Sequence, residues 1–293
     1  MERISQTDLI LNPDGSIYHL HLLPEDIADT LILVGDPGRV SMISALFDSI
    51  ELQKENREFT THTGYYKGKR ISVISTGIGT DNIDIVMNEL DALVSVDLNS
   101  RTLLAKPGKL TLIRIGTSGA LHSDITPGSI LLTQIACGFD GVYHFYRDEK
   151  QVIVPGLTEA FKGYTGWNPH MADPYFVRGS DRLIRHFSTM EWISGITIST
   201  PGFYAPQSRT IRLAPNDQKL IQRLSAFTFN SLRINNFEME SSALYAISAM
   251  LGHDALTLCV AIANRITASF LADYKPALEN LALMVLKKIS QDA

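Results

Sequence analysis

The chain has 293 residues and a formal net charge of −5, with 45% hydrophobic and 19% charged residues. That length can bury the core of one large α/β domain or two average ones. Glycine and proline are evenly spread, without repeats, charge blocks or low-complexity tracts, and this favours one domain. The acidic balance argues against a general nucleic-acid binder and leaves room for a local basic pocket. Cys137 and Cys259 are the only cysteines, too few for a disulfide framework, and each reads as a small buried hydrophobe. No apolar run reaches the ~18 residues of a membrane span. The N-terminal MERISQTDLILNPDGS lacks the basic-then-apolar order of a secretory signal, so a soluble cytoplasmic protein is expected.

Strand-like runs alternate with helical periodicity, the pattern of a sheet with helices on its faces. Residues 30–35 predict a buried strand and 37–47 the helix after it. Strands follow at 58–66 and 70–76, then a helix over 82–96. Residues 109–116 and 128–136 are further buried strands, and 138–167 reads as loop-rich. A helix is expected over 174–187, a strand at 195–200, and a helix capped by Asn216 that runs to 229. Another helix covers 238–251, stopped by Gly252. Residues 255–264 form the last strand and 276–289 a terminal helix.

Three glycine-bearing turns, VGDPGRV, STGIGTD and RIGTSGA, follow apolar strands. In open α/β sheets ligands bind beyond the carboxyl ends of the strands, where glycine lets a backbone approach closely. None is a G-x-G-x-x-G fingerprint or a Walker loop, so the dinucleotide and nucleoside-triphosphate readings lose their main signal. Arg39 in the first, and Arg114 with Thr117 in the third, bring donors matched to phosphate oxygens. An arginine ending a buried strand needs an anion or a carboxylate, so an internal salt bridge is an equal reading.

In NFEMESSAL, Glu238 and Glu240 would lie on different faces of a helix, yet both would face one crevice in a strand-to-helix turn. There Glu240 could accept from two neighbouring hydroxyls, as a ribose presents them; the plainer reading is a helix N-terminus carrying acids. In GFYAPQSRTIR, Gln207 both donates and accepts while Arg209 only donates. That combination suits a planar base edge beside Phe203 and Tyr204, although alone it is a polar loop. The histidines, His19, His62, His144 and His253 among them, show no metal spacing. Ser75, Ser118 and Ser199 lack the G-x-S-x-G context of a nucleophile elbow.

Taken together and in this order, VGDPGRV, NREF, STGIG, RIGTSGA, the Q-x-R loop, EMES and ANR resemble the nucleoside phosphorylase superfamily, nearest its uridine phosphorylase branch. The match runs from about Tyr18 to the terminal helix. The resemblance implies an α/β fold: a single-domain mixed β-sheet, distorted and barrel-like, flanked by α-helices over residues 18–293, with an N-terminal extension at 1–17. It implies a phosphate site of Gly35, Arg39, Arg114 and Thr117, with Arg57 contributed from a neighbouring subunit. Ribose contacts would come from Met239, Glu240 and a neighbour's His19, and the base pocket from Phe203, Gln207, Arg209, Ile262 and Ala263. The catalytic set would be Arg39, Arg114, Glu240 and Arg209.

The implied activity is phosphorolysis of uridine, deoxyuridine or thymidine to free base and pentose 1-phosphate, in pyrimidine nucleoside salvage. Inorganic phosphate is the co-substrate, and no cofactor or metal is expected. The implied assembly is a homo-oligomer, at least a dimer and commonly a hexameric ring of three dimers. Purine-specific relatives typically carry a Ser-Asp pair where this chain has ANR, Ala263 to Arg265; that aspartate would donate a proton to purine N7, so its absence, beside the Q-x-R loop, favours a pyrimidine. Asn82 stands where a serine helps hold a monovalent cation in some relatives, which argues against a potassium site although Glu58 and Ile78 match. Residues 139–174 do not align and carry no assignment. The rival readings are a purine phosphorylase or nucleosidase on the same fold, a non-catalytic nucleoside-binding relative, and a dinucleotide-binding oxidoreductase.

Overall fold

A computed structural model describes residues 3–148, 150–188 and 190–292. Strand β1 (Thr30–Val34) leads into helix α1 (Gly38–Ser44). Strands β2 (Ser49–Asn56), β3 (Phe59–Tyr66) and β4 (Lys69–Ser75) precede α2 (Thr80–Ser95). After the short pair β5 (Val96–Asp97) and β6 (Thr102–Leu103) come β7 (Thr111–Ala120), β8 (Ile130–Gly138) and α3 (Leu157–Thr165). Next are β9 (Tyr175–Arg178), α4 (Asp181–Phe187), β10 (Ile193–Ser199) and α5 (Leu220–Ala226). The chain ends with β11 (Thr228–Phe229), β12 (Leu232–Glu238), α6 (Ser241–Leu251), β13 (Asp254–Asn264), β14 (Ser269–Phe270) and α7 (Lys275–Ile289).

Strand β7 pairs in parallel with β13 and antiparallel with β12, so β7, β13, β8, β10 and β12 close a five-stranded mixed barrel. From β7 the sheet continues outward through β1, β4, β3 and β2. The uninterrupted apolar run of β1 follows from burial on both faces, as in parallel sheets covered by helices. Leu31 and Leu33 point to the face covered by α2 and α6, while Ile32 and Val34 point to that covered by α1, α4 and α7. Helices α3 and α5 cover the barrel's third flank through Phe161 and Leu224, packed with Phe176 and Phe237. Residues 3–17 lie against this body: Leu9 and Ile17 are buried in its core, and the Ile4 N–H donates to Arg101 O at 2.8 Å. Among the described residues, no helix is long and apolar enough to cross a membrane.

Four expectations needed correction. The stretch RIGTSGA is no turn: β7 runs through it to Ala120, because its backbone is claimed by β13 on one side and β12 on the other. Residues 174–187 divide into β9 and α4, with the Ser180 hydroxyl accepting the Leu183 N–H as the new helix's cap. Helix α5 begins at Leu220, well after Asn216. Strands β2 and β12 had no counterpart in the sequence reading; β2 is charged and largely solvent-facing, and β12 hides asparagines inside the barrel.

Candidate active site

A cleft of about 1010 Å³ opens where β1, β4, β12 and β13 end, at the carboxyl edge of the sheet. All the expected site residues except His19 and Arg57 line it: Gly35, Arg39, Arg114, Thr117, Phe203, Gln207, Arg209, Met239, Glu240, Ile262 and Ala263.

At its centre Arg114 is almost fully buried, with Nη1 3.1 Å from Glu238 and Nη2 bonded to Glu240. Its guanidinium folds back along its own strand, and a Cβ on Gly116 would stand 2.3 Å from Nη1. Only glycine admits that approach. The salt bridge that the sequence allowed for Arg114 is therefore present, and the residue still forms part of the cleft wall. Its Nε and the nearby Ser118 Oγ are buried without a hydrogen-bond partner. Burial disfavours the Arg114 charge, but Glu240 and Glu238 outweigh it and hold its pKa above that of an ordinary arginine. One guanidinium thus serves two carboxylates. Burial pushes the Glu240 carboxyl up against the pull of Arg114, with Glu238 adding to the rise. Beside them, burial raises the Cys259 thiol to about 12, so it stays neutral.

The two glutamates do different things. Glu238 ends β12 and accepts the N–H groups of Glu240 and Ser241 at 3.0 Å, while Ser199 Oγ accepts that of Ser242 at 2.9 Å. The first donors of α6, which no helical carbonyl can reach, are thereby satisfied. Glu240 sits in the turn itself and faces the cleft, accepting the Gly79 N–H at 2.8 Å. The strand-to-helix geometry puts both carboxylates at one crevice, and it makes Glu238 a cap for α6, so the crevice reading and the helix-end reading of these acids both hold in part.

The wall that carries Phe203, Gln207 and Arg209 is built on a loop held tight by its own contacts. Gln207 is buried; its Nε2 donates to Thr200 Oγ1 at 2.9 Å and its Oε1 accepts from Arg209. Arg209 also donates to Phe203 O at 2.7 Å and lies 3.7 Å over the Phe203 ring, covering one face of it. Arg265, the last residue of the ANR motif, donates to Gln207 O at 2.9 Å and lines the same wall. The hydrogen bonds of both arginines go to carbonyls and an amide, not to a carboxylate. Burial, then the neighbouring Arg265 charge, bring the Arg209 pKa down to about 10. Asn264 donates to His122 O at 2.7 Å and Ile125 O at 2.8 Å, and accepts from the Ile266 and Thr267 N–H groups.

At the other end stand Gly35 and Arg39, the latter 5.9 Å over the Tyr274 ring. Glu58, Ile78 and Asn82 also meet here, yet Asn82 turns its amide nitrogen onto Gly77, where a Cβ would come within 2.1 Å of Nδ2. Gly77 has φ 70°, and this packing requires glycine. Among the described residues there is no cluster of three or more His, Cys, Asp or Glu able to hold a metal ion.

His19 and Arg57 stand together outside the cleft. His19 Nδ1 lies 2.6 Å from Glu89, Asn56 Nδ2 donates to His19 O at 2.7 Å, and exposed Arg57 lies 5.2 Å over the Tyr18 ring.

The family model described as the phosphorylase superfamily matches residues 29–290. A uridine phosphorylase of Thermococcus kodakarensis is 30% identical over 260 residues, covering 88% of this chain and 80% of that protein. A DeoD-type purine nucleoside phosphorylase of Caldanaerobacter subterraneus is also 30% identical, covering 82% of this chain and 84% of its own. The crystal structure of a Trypanosoma brucei nucleoside phosphorylase with uridine phosphorylase activity matches with a TM-score of 0.87 at 28% identity, covering 98% of this chain and all of that one. With the barrel, the cleft at the strand ends and a match along nearly its whole length in agreement, the chain belongs to the phosphorylase superfamily.

Proposed function

We propose that this chain phosphorolyses uridine and related pyrimidine nucleosides in the cytoplasm, giving uracil and ribose 1-phosphate. The observation that carries the reading is the charge at the base end: Gln207, Arg209 and Arg265 with no carboxylate among the lining residues there. As the glycosidic bond breaks, its electron pair moves onto the base. Two guanidiniums held without carboxylate partners stabilise that charge where it develops, and the Gln207 amide oxygen, which accepts from Arg209, keeps a second lone pair for the base edge. A purine leaves best when an acid protonates it, and no acid stands there.

Arg39, Arg114, Thr117 and the Gly35 backbone hold phosphate beneath the anomeric carbon, converting a bimolecular attack into a positioned one. The phosphate charge stabilises the oxocarbenium-like sugar, and Glu240 with Met239 fixes the ribose. Arg57 and His19 complete a neighbouring copy's site, so the active unit is at least a dimer. Their linkage through Tyr18 and Asn56 supports their acting together. No cofactor takes part.

The test is turnover of uridine, thymidine and inosine, each with and without phosphate. Uridine consumption that requires phosphate is expected. Preference for inosine would overturn the base assignment, phosphate-independent cleavage would make it a nucleosidase, and nucleoside binding without turnover would make it a non-catalytic relative.

A pH dependence follows from Glu240. Its carboxyl is raised by burial, so as pH falls it takes up a proton before an ordinary glutamate does and loses acceptor capacity toward the ribose hydroxyls. At saturating phosphate, kcat/KM for uridine should fall on the acid side with an apparent pKa above the ordinary glutamate value. Glu240→Gln should show lower activity and no such limb; an unchanged limb in that variant would remove Glu240 from the assignment.

A further inference from the structure

Asp140 follows β8 and lies outside the cleft lining. Three elements converge on its carboxylate. The Tyr175 hydroxyl, on β9, lies 2.8 and 3.0 Å from its two oxygens. The Ser242 hydroxyl, in the first turn of α6, donates at 2.8 Å, and the Val142 N–H donates at 2.8 Å. Tyr175 and Ser242 are buried, so neither hydroxyl has water as a ready alternative partner. Burial and the Asp140 charge push the Tyr175 pKa well above its ordinary value, which keeps the phenol a donor.

The cluster does not end at Ser242. The Ser242 N–H donates to Ser199 Oγ, and the Ser199 hydroxyl donates to Glu238. Glu238 in turn holds the N–H groups of Glu240 and Ser241. A continuous run of hydrogen bonds thus joins β9 to the turn that carries Met239 and Glu240. The Ser241 hydroxyl donates to Thr257 Oγ1 at 3.0 Å, pinning that turn from β13 as well. Side chains that meet a ligand hold their geometry only when the groups behind them are fixed.

We propose that Asp140 is a positioning residue for sugar recognition: through Ser242 it fixes the first turn of α6, and with it the placement of Glu240 in the cleft. This rests on Glu240 being the ribose residue, as argued above. A purely architectural Asp140 would set stability alone. A positioning Asp140 sets how well Glu240 meets two neighbouring hydroxyls, so its loss weighs more on a ribonucleoside than on a 2′-deoxyribonucleoside, which lacks one of them.

The experiment compares Asp140→Asn with wild type, using uridine and 2′-deoxyuridine at saturating phosphate, and phosphate at saturating uridine. The asparagine keeps the shape but turns an N–H donor toward Tyr175 or Ser242, both of which are donors. KM for uridine is expected to rise about 10-fold, the equivalent of one misplaced hydrogen bond. KM for 2′-deoxyuridine should rise by about 3-fold or less and KM for phosphate by about 2-fold or less, on the same argument. Where Asp140→Asn does not fold, Tyr175→Phe removes one donor with little change of packing and should shift the ratio the same way, less far. Equal changes for both nucleosides, or a fall in melting temperature with unchanged kinetic constants, would overturn the proposal. Calorimetric Kd values for the two nucleosides give the same ratio without turnover. A protein that does not phosphorolyse can therefore be told apart from one in which Asp140 does not position the sugar site.

Discussion

Arg114→Ala is expected to lower phosphate-dependent turnover of uridine by about 10²–10³-fold, the cost of removing one well-placed donor at a reacting centre. It should also destabilise the fold. Arg114 is the shared counter-ion of Glu238 and Glu240, all three nearly fully buried, and deleting it strands two carboxylates; breaking a buried pair in this way costs about 3–5 kcal/mol. The two losses have different origins and can be separated. Adding Glu238→Gln to Arg114→Ala removes one stranded charge without touching the ribose residue and should recover part of the melting temperature, while activity stays low because the phosphate donor is still missing. Measured by thermal unfolding and by phosphate-dependent uracil release, recovery of both together would mean that Arg114 acts only as a structural counter-ion.

How far the sequence foretold this site depends on how local each signal is. Strand β1 and the body of β13 are plain in the sequence because burial on both faces leaves an apolar run. Strand β12 is not, because Asn235 and Asn236 interrupt its apolar pattern with polar side chains buried in the closed barrel; the Asn236 oxygen accepts from Thr197 on β10 at 2.8 Å, and both amide nitrogens are buried without a hydrogen-bond partner. The continuation of β7 beyond Gly116 is hidden for the same reason: glycine reads as a turn until two flanking strands claim its backbone.

The site divides along the same line. Arg39, Arg114, Gln207 and Arg209 could be singled out because each sits in a short stretch whose chemistry is suggestive by itself, and all four line the cleft. Arg265 was overlooked because its partner, Gln207 O, lies on a distant loop. Glu238 looked like a second sugar ligand or a helix-end acid. Its hydrogen bonds to the Glu240 and Ser241 N–H groups decide for the cap, and spacing alone could not.

The second large effect concerns base specificity. Converting Ala263 and Asn264 to the Ser-Asp pair associated with purine relatives is expected to damage the protein without yielding inosine phosphorolysis. Asn264 is 2% exposed, and both protons of its amide are used, on His122 O and Ile125 O. An aspartate there would face two carbonyl oxygens with a third and fourth oxygen of its own. It would lose two hydrogen bonds and leave a buried charge unpaired, at a cost of about 3–5 kcal/mol; for a chain of this size that is a melting-temperature drop on the order of 10 °C. The nearest relief is Arg265, and turning toward the new carboxylate would take it from Gln207 O, the contact that ties it to the base loop. Uridine KM should therefore rise in Asn264→Asp even at temperatures where the fold is intact. Asn264→Ser, which loses the hydrogen bonds without adding a charge, should destabilise less and leave Arg265 in place. A stable Asn264→Asp variant that phosphorolyses inosine would show instead that the amide's four contacts are dispensable. On the present geometry, a purine preference needs the strand-end turn after β13 rebuilt before an acid can stand there, because the carbonyls of His122 and Ile125 demand a donor at that position.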